Sequence, residues 1–238
     1  MSMYTDEILA AVIRWNGILP TPSKEALKSP NGLRVFRNSF IENYIARAHP
    51  IVPGLWVLPV AAFLFSIGLS YKSVPVVSAL FVIGVLSWSL LEYTLHLLLF
   101  HKEITPTTHP RVKFAIFMLH GYHHEYPNDP SRLVMPIILA WPLGAIIGFA
   151  FWLMLGSSFF YSFYSGLLIG YLAYDWMHYY THHIRATNRA GKYMRKFHAI
   201  HHFVDHNKNF GISSPLWDWV FGKAREPISR LDSPSPSP

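Results

Sequence analysis

His120, His123 and His124 stand at i, i+3 and i+4, a spacing that projects three imidazoles from one face of a helix. Neutral imidazoles converging on one point are what a transition metal binds. The spacing returns at His198, His201 and His202, and two related groups complete the set: His96 with His101, and His178 with His182 and the adjacent His183. Eleven of the 14 histidines fall in these four groups. Ten of them stand at ligand spacing: His96, His101, His120, His123, His124, His178, His182, His198, His201 and His202. One ion takes roughly four to six ligands, so this set suits two ions sharing a pocket. His96 and His101 lie at i, i+5, which does not align on an ideal helix, so the helix must end or distort between them. His183 points away from His182 and is a weaker ligand or a support. His49 and His109 stand alone and read as structural, and His206 is open to either reading.

Two carboxylates precede ligands on the same helix face: Glu92 four residues before His96, and Asp175 three before His178. A carboxylate that accepts the outer N–H of a ligating histidine fixes its tautomer and orientation. That role is expected of both, more of Asp175 than of Glu92. The alternative is a polar residue at a helix end.

The elements that must position these groups are apolar. Residues 51–71, 74–100, 134–155 and 159–180 are each long enough to cross a bilayer of about 30 Å. Tight breaks at 72–75 and 156–158 pair them into two helical hairpins. The expected fold is therefore an all-α integral membrane protein of four transmembrane helices, with a cytoplasmic helical cap holding a histidine-rich dimetal site. Only Lys72 of the 20 Lys and Arg lies on the side of the two short turns. The positive-inside rule then puts both termini and every histidine group on the cytoplasmic side. The host membrane would be the endoplasmic reticulum in a eukaryote or the inner membrane in a bacterium.

Residues 1–50 read as an N-terminal interfacial segment, with an amphipathic helix over 6–17, a loop over 18–35 and a second interfacial helix over 36–49. The 6–17 helix could equally pack on its own domain. Residues 51–223 form the membrane domain. Residues 185–196 are a basic connector, and 224–238, with Ser-Pro repeats, a disordered tail.

Composition excludes several classes. Charged residues make up 14% of the chain, against about a quarter in a soluble domain. There is no cysteine, so disulfides, thiolate haem, Cys-ligated iron–sulfur clusters and Cys-type zinc fingers are out. The net charge of +7 reflects membrane orientation rather than nucleic-acid binding. A structural zinc site would need four ligands, a b-type haem would sit within the membrane depth, and a metal transporter would bring ionisable groups to the midplane. A metal pair at the mouth of a membrane domain suits oxygen activation on a lipid chain. Iron is the usual metal for that task, whereas zinc binds the same ligands without redox chemistry.

The groups His96-x4-His101, His120-x2-His123-His124, His178-x3-His182-His183 and His198-x2-His201-His202 resemble the histidine boxes of the fatty acid hydroxylase/sterol desaturase superfamily. The stretches 92–101, 120–136 and 210–218 resemble most the fatty acid 2-hydroxylase branch, and the likeness covers about residues 35–223. The resemblance implies a four-span enzyme with a dinuclear centre, di-iron for catalysis though zinc can occupy it, that 2-hydroxylates sphingolipid or ceramide acyl chains with O2. It implies electrons from cytochrome b5 and its NAD(P)H-dependent reductase, the ten histidines above as ligands, and Tyr174 and Asp175 as catalytic pocket residues near the metals. Many relatives carry a fused cytochrome b5 domain with a His-Pro-Gly-Gly motif. That motif is not in this sequence, so a separate donor is expected and no haem or flavin in this chain. Leu97 stands where relatives often carry Arg. The rival readings are a sterol or carotenoid hydroxylase or desaturase with the same boxes, and a non-catalytic membrane protein that binds or transports metal.

Overall fold

The computed structural model describes residues 3–15, 22–29, 31–102, 104–105 and 107–227. Among them the regular secondary structure is helical, apart from a single bridge between Tyr4 and Phe36. The helices are α1 (Asp6–Arg14), α2 (Lys24–Lys28), α3 (Val52–Tyr71), α4 (Val74–Leu95), α5 (Pro110–Ile116), α6 (Tyr122–Glu125), α7 (Ile137–Leu155), α8 (Ser157–His183), α9 (Arg189–Phe203) and α10 (Leu216–Val220). Three π-helical stretches, Ile41–Ile45, His96–Phe100 and Phe117–Gly121, interrupt this series.

Among the described residues three helices are long and apolar enough to cross a membrane: Val52–Tyr71, Val74–Phe100 and Ile137–Leu155. Their outer faces carry exposed Leu55, Phe63, Leu86, Ile146 and Leu153, as a lipid-facing surface requires. α7 starts three residues later than expected, because Pro136 holds the preceding chain extended as its N-cap. α8 covers the fourth expected span and is the most polar of the long helices, with Ser162, Ser165, Asp175 and His178 buried along it. It packs along both α4 and α3, which shield it.

That arrangement modifies the two-hairpin expectation. α3 and α4 are joined by a tight turn, yet each meets α8 far more than the other. The close approach of α4 and α8 needs glycine: a Cβ at Gly84 would meet the Phe163 carbonyl oxygen, and one at Gly166 the Phe81 carbonyl oxygen. α7 turns into α8 at Gly156, whose φ of 65° disfavours other residues. The two turns share one end of the bundle, where Lys72 Nζ sits 4.4 Å from the centre of the Phe159 ring.

The N-terminal segment packs on the domain. α1 is capped by the Thr5 hydroxyl, and its Ile8, Ala11 and Val12 join Val35, Phe117 and Tyr122 in a core. Two expectations are corrected here. The loop over 18–35 contains α2, started by the Ser23 side chain accepting from Ala26 N–H. The interfacial helix over 36–49 reduces to the π turn at Ile41–Ile45 and its lead-in, because Glu42 is drawn inward rather than left on a polar face. Its carboxylate accepts from the Val35 and Phe36 N–H groups, from Arg47 Nε at 3.1 Å and from Arg132. Arg132 also approaches Asp129, and Asp129 accepts from the Tyr122 hydroxyl at 3.1 Å. The tail from 228 onward and residues 16–21 lie outside the described residues.

Candidate metal centre

Each histidine arrives by a distinct local device. The i, i+5 problem at His96 and His101 is solved by the π turn His96–Phe100, in which His101 N–H bonds to the His96 carbonyl at 3.1 Å. A second π turn, Phe117–Gly121, delivers His120 into α6, which carries His123 and His124. The last turns of α8 supply His178 and His182, and α9 supplies His198, His201 and His202.

The ten rings form two groups of five. His96, His101, His120, His124 and His201 make one, and His123, His178, His182, His198 and His202 the other. Within each, one nitrogen per ring lies within 4.8 Å of all the others. In the first group His120 Nε2 is 2.9 Å from both His96 Nε2 and His124 Nε2, and His101 Nε2 is 3.1 Å from His201 Nε2. In the second, His123 Nε2 is 3.0 Å from His178 Nε2 and 3.1 Å from His202 Nε2, and His198 Nε2 is 2.9 Å from His182 Nε2. Neighbouring nitrogens at about 2.9 Å are what right-angle ligation at a metal–nitrogen distance of about 2.0–2.1 Å requires.

This geometry differs from the sequence expectation in one respect. The three histidines of a box do not converge on one point. His120 and His124 enter the first group and His123 the second, while His198 and His202 enter the second and His201 the first. The two groups touch where the His124 and His202 rings stack, with centroids 4.1 Å apart.

Backbone carbonyls fix the tautomers. His96 Nδ1 bonds to the Phe210 carbonyl at 2.5 Å and His201 Nδ1 to the Lys208 carbonyl at 2.7 Å. A carbonyl only accepts, so these Nδ1 atoms carry the protons and both Nε2 lone pairs point inward. Burial, and then the neighbouring imidazoles, hold His120, His123, His124, His198 and His202 well below the usual histidine range. For His201 burial again dominates. Neutral rings with inward lone pairs fit a pair of transition-metal cations.

The carboxylates have other partners than expected. Glu92 Oε1 accepts from Ile212 N–H at 3.2 Å and Ser213 N–H at 2.8 Å, and so holds the loop whose Phe210 carbonyl orients His96. Asp175 accepts from the Tyr171 hydroxyl at 3.3 Å, not from His178. For His96 the support expected from Glu92 comes from the Phe210 backbone carbonyl, which no side-chain pattern announces. His183 joins neither group. His206 donates from Nδ1 to the His201 carbonyl at 2.7 Å, with its ring 5.1 Å from that of His124. His49 and His109 each accept from a backbone N–H two residues on.

An apolar cavity between α3, α4, α7 and α8 adjoins both groups. Trp88, Leu95, Leu167 and Tyr171 line it, together with two residues that border the histidines. Phe100 stacks on His120 at 5.4 Å, and the Tyr174 ring lies 6.0 Å from that of His178. A second cavity reaches His123 from the side of Met118, Arg132 and Leu139.

The chain is similar over most of its length to proteins of known activity. It is 35% identical over 228 residues to a dihydroceramide fatty acyl 2-hydroxylase of Arabidopsis thaliana, covering 92% of this chain and 93% of that one. It is 35% identical over 199 residues to a ceramide very long chain fatty acid hydroxylase of Saccharomyces cerevisiae, where the match covers 81% of this chain and 50% of that one. The solved structure of full-length scs7p, in which only the hydroxylase domain is visible, superposes with a TM-score of 0.79 at 27% identity, over 96% of this chain and 82% of that chain. The sequence model of the fatty acid hydroxylase family matches residues 81–223, a segment that contains all ten clustered histidines. With the helical core, the paired histidine groups and these matches in agreement, the chain belongs to the fatty acid hydroxylase family.

Proposed function

We propose that this chain is a membrane monooxygenase that uses O2 to hydroxylate C2 of sphingolipid or ceramide acyl chains. The observation that carries the reading is the pair of five-histidine groups beside an apolar cavity between the long helices, with Phe100 and Tyr174 between them. The names of the similar proteins supply the substrate class.

The ten histidines act as ligands to two metal ions, iron for turnover, which supply oxygen activation when bound. The residues of the chain do the rest. The Phe210 and Lys208 carbonyls keep lone pairs directed inward. The wall of Trp88, Leu95, Leu167 and Tyr171 holds the acyl chain and keeps water out. Phe100 and Tyr174, at the border with the histidines, set how close C2 comes. Asp175, bonded to Tyr171, positions that wall from behind rather than meeting the substrate.

α8 serves as the fourth span, shielded by its neighbours. The distribution of Lys and Arg supports a cytoplasmic histidine cap and cytoplasmic termini. Residues 51–223 are then the catalytic domain, and electrons come from a separate cytochrome b5 and its NAD(P)H-dependent reductase.

The test is lipid mass spectrometry in a host without its own 2-hydroxylase, with cytochrome b5 present and His123→Ala as the matched control. Appearance of 2-hydroxylated ceramides with the native chain alone supports the reading. Unmodified ceramides overturn it, and oxidised sterols or carotenoids in the same spectra would redirect it within the superfamily.

A further inference from the structure

The cavity beside the histidines is almost wholly apolar, yet three residues of its wall carry buried polar atoms without a hydrogen-bond partner: Trp56 Nε1, Trp88 Nε1 and Glu92 Oε2. Glu92 is 4% exposed. Its other oxygen, Oε1, is committed to the Ile212 and Ser213 N–H groups. The Ser213 hydroxyl and the Trp88 indole N–H lean toward the same carboxyl without closing a hydrogen bond on Oε2. Unpaired polar atoms are costly in such surroundings and are rare in folded proteins. An acceptor and two donors left open around one cavity describe the polar part of a ligand.

We propose that Glu92 Oε2 accepts the amide N–H of an N-acyl lipid, so that this chain selects amide-linked acyl groups over thioesters and free acids. The inference rests on the acyl-hydroxylase reading and names the residue that chooses the form in which the acyl chain is presented. In an N-acyl lipid the amide nitrogen is two bonds from C2. Glu92 precedes His96 by four residues, about 6 Å along the helix axis. An amide held at Glu92 therefore keeps C2 within reach of the first histidine group, while the hydrocarbon runs into the apolar cavity. In a trans amide the carbonyl points away from the N–H. The Trp56 indole N–H, on α3 rather than α4, and that of Trp88 are the donors open to it. A thioester sulfur has no hydrogen to give, and a free carboxylate offers only acceptors to an acceptor.

Glu92→Gln tests this cleanly. The glutamine oxygen must stay on the Ile212 and Ser213 N–H groups, which turns its NH2 into the cavity and removes the acceptor with little change of shape. The full-length, metal-loaded chain in lipid nanodiscs is titrated with N-palmitoyl dihydrosphingosine, its N-methyl analogue and palmitoyl-coenzyme A. The native chain should bind the N–H amide roughly tenfold more tightly than the N-methyl amide, the worth of one buried hydrogen bond, and the thioester more weakly still. In E92Q the preference for N–H over N-methyl should fall to near unity, with metal content unchanged. The steric load of the methyl group is common to both proteins, so the change in ratio reports the hydrogen bond. An unaltered ratio in E92Q overturns the proposal. Should the variant lose its metal, the native chain decides alone, since equal binding of the two amides overturns it as well. If 2-hydroxylated ceramides form while the ratio fails, only the role of Glu92 falls. If no N-acyl lipid binds and none is hydroxylated, the functional reading falls with it.

Discussion

His96 Nδ1 donates to the Phe210 carbonyl oxygen at 2.5 Å, joining the end of α4 to a loop 114 residues later. The loop is itself held by Asp218, whose buried carboxylate accepts from Phe210 N–H at 2.8 Å and Gly211 N–H at 2.7 Å. Asp218→Ala should therefore loosen metal at the His96 group although Asp218 is no ligand. Partners of this kind are worth roughly 10- to 100-fold in metal affinity. Metal retained after a graded chelator challenge measures it, and retention equal to the native chain would refute the link.

His201 and His202 are sequence neighbours that serve different groups. His201→Ala and His202→Ala should each deplete one ion and spare the larger part of the other. Metal stoichiometry reads the loss. Abolition of both ions by either substitution, with the fold intact, would mean a single shared site.

Gly166 lies against the Phe81 carbonyl at the crossing of α8 and α4. Gly166→Leu should force these helices apart and cost at least about 1–3 kcal/mol, the usual toll of overpacking. A thermal melt in nanodiscs checks it. Gly222, where an added Cβ meets nothing within 4 Å, has a φ of 66° and is not a neutral control, so Gly144 serves better.

Glu42 gives a pH dependence outside the membrane. Burial pushes its carboxyl up, but the Phe36 N–H, Arg132 and Arg47 together outweigh burial and hold it below its ordinary 4.5. A carboxylate lowered in the folded state adds stability that is complete above about pH 4.5 and is lost as pH falls through the folded value. The native chain should thus weaken on acidification in that window. Glu42→Gln should be less stable at neutral pH, with Arg132 left short of a partner, and should show a flatter profile below it. Unfolding midpoints at stepped pH measure both. Parallel profiles would sink the assignment.

Much of this architecture was legible because two independent signals coincide. Apolar runs of spanning length delimit α3, α4 and α7, and the i, i+5 spacing of His96 and His101 required the distortion that the π turn provides. What stayed hidden depends on partners distant in sequence. A helical wheel shows that His120, His123 and His124 are near one another, but not that His123 meets His178 on α8 while His120 meets His96 at the end of α4. Glu92 has the spacing of a histidine support, yet the Ile212 and Ser213 N–H groups reach it from 120 residues away. Residues 36–49 read as an interfacial helix because nothing local reveals that Arg132 will claim Glu42. The signal that α8 is central was present but unread: Gly166 and Gly170 are spaced for close helix contact.

The crossed allegiance of the histidine boxes has a mechanical meaning. Both α6 and α9 contribute to both groups, whereas α8 serves the second alone and the turn after α4 the first alone. The two coordination shells are laced together like a boot: drawing one tight takes up the slack in the other. Ordering either group steadies the helices that the other shares, so an ion held in one should strengthen binding in the other without being required for it.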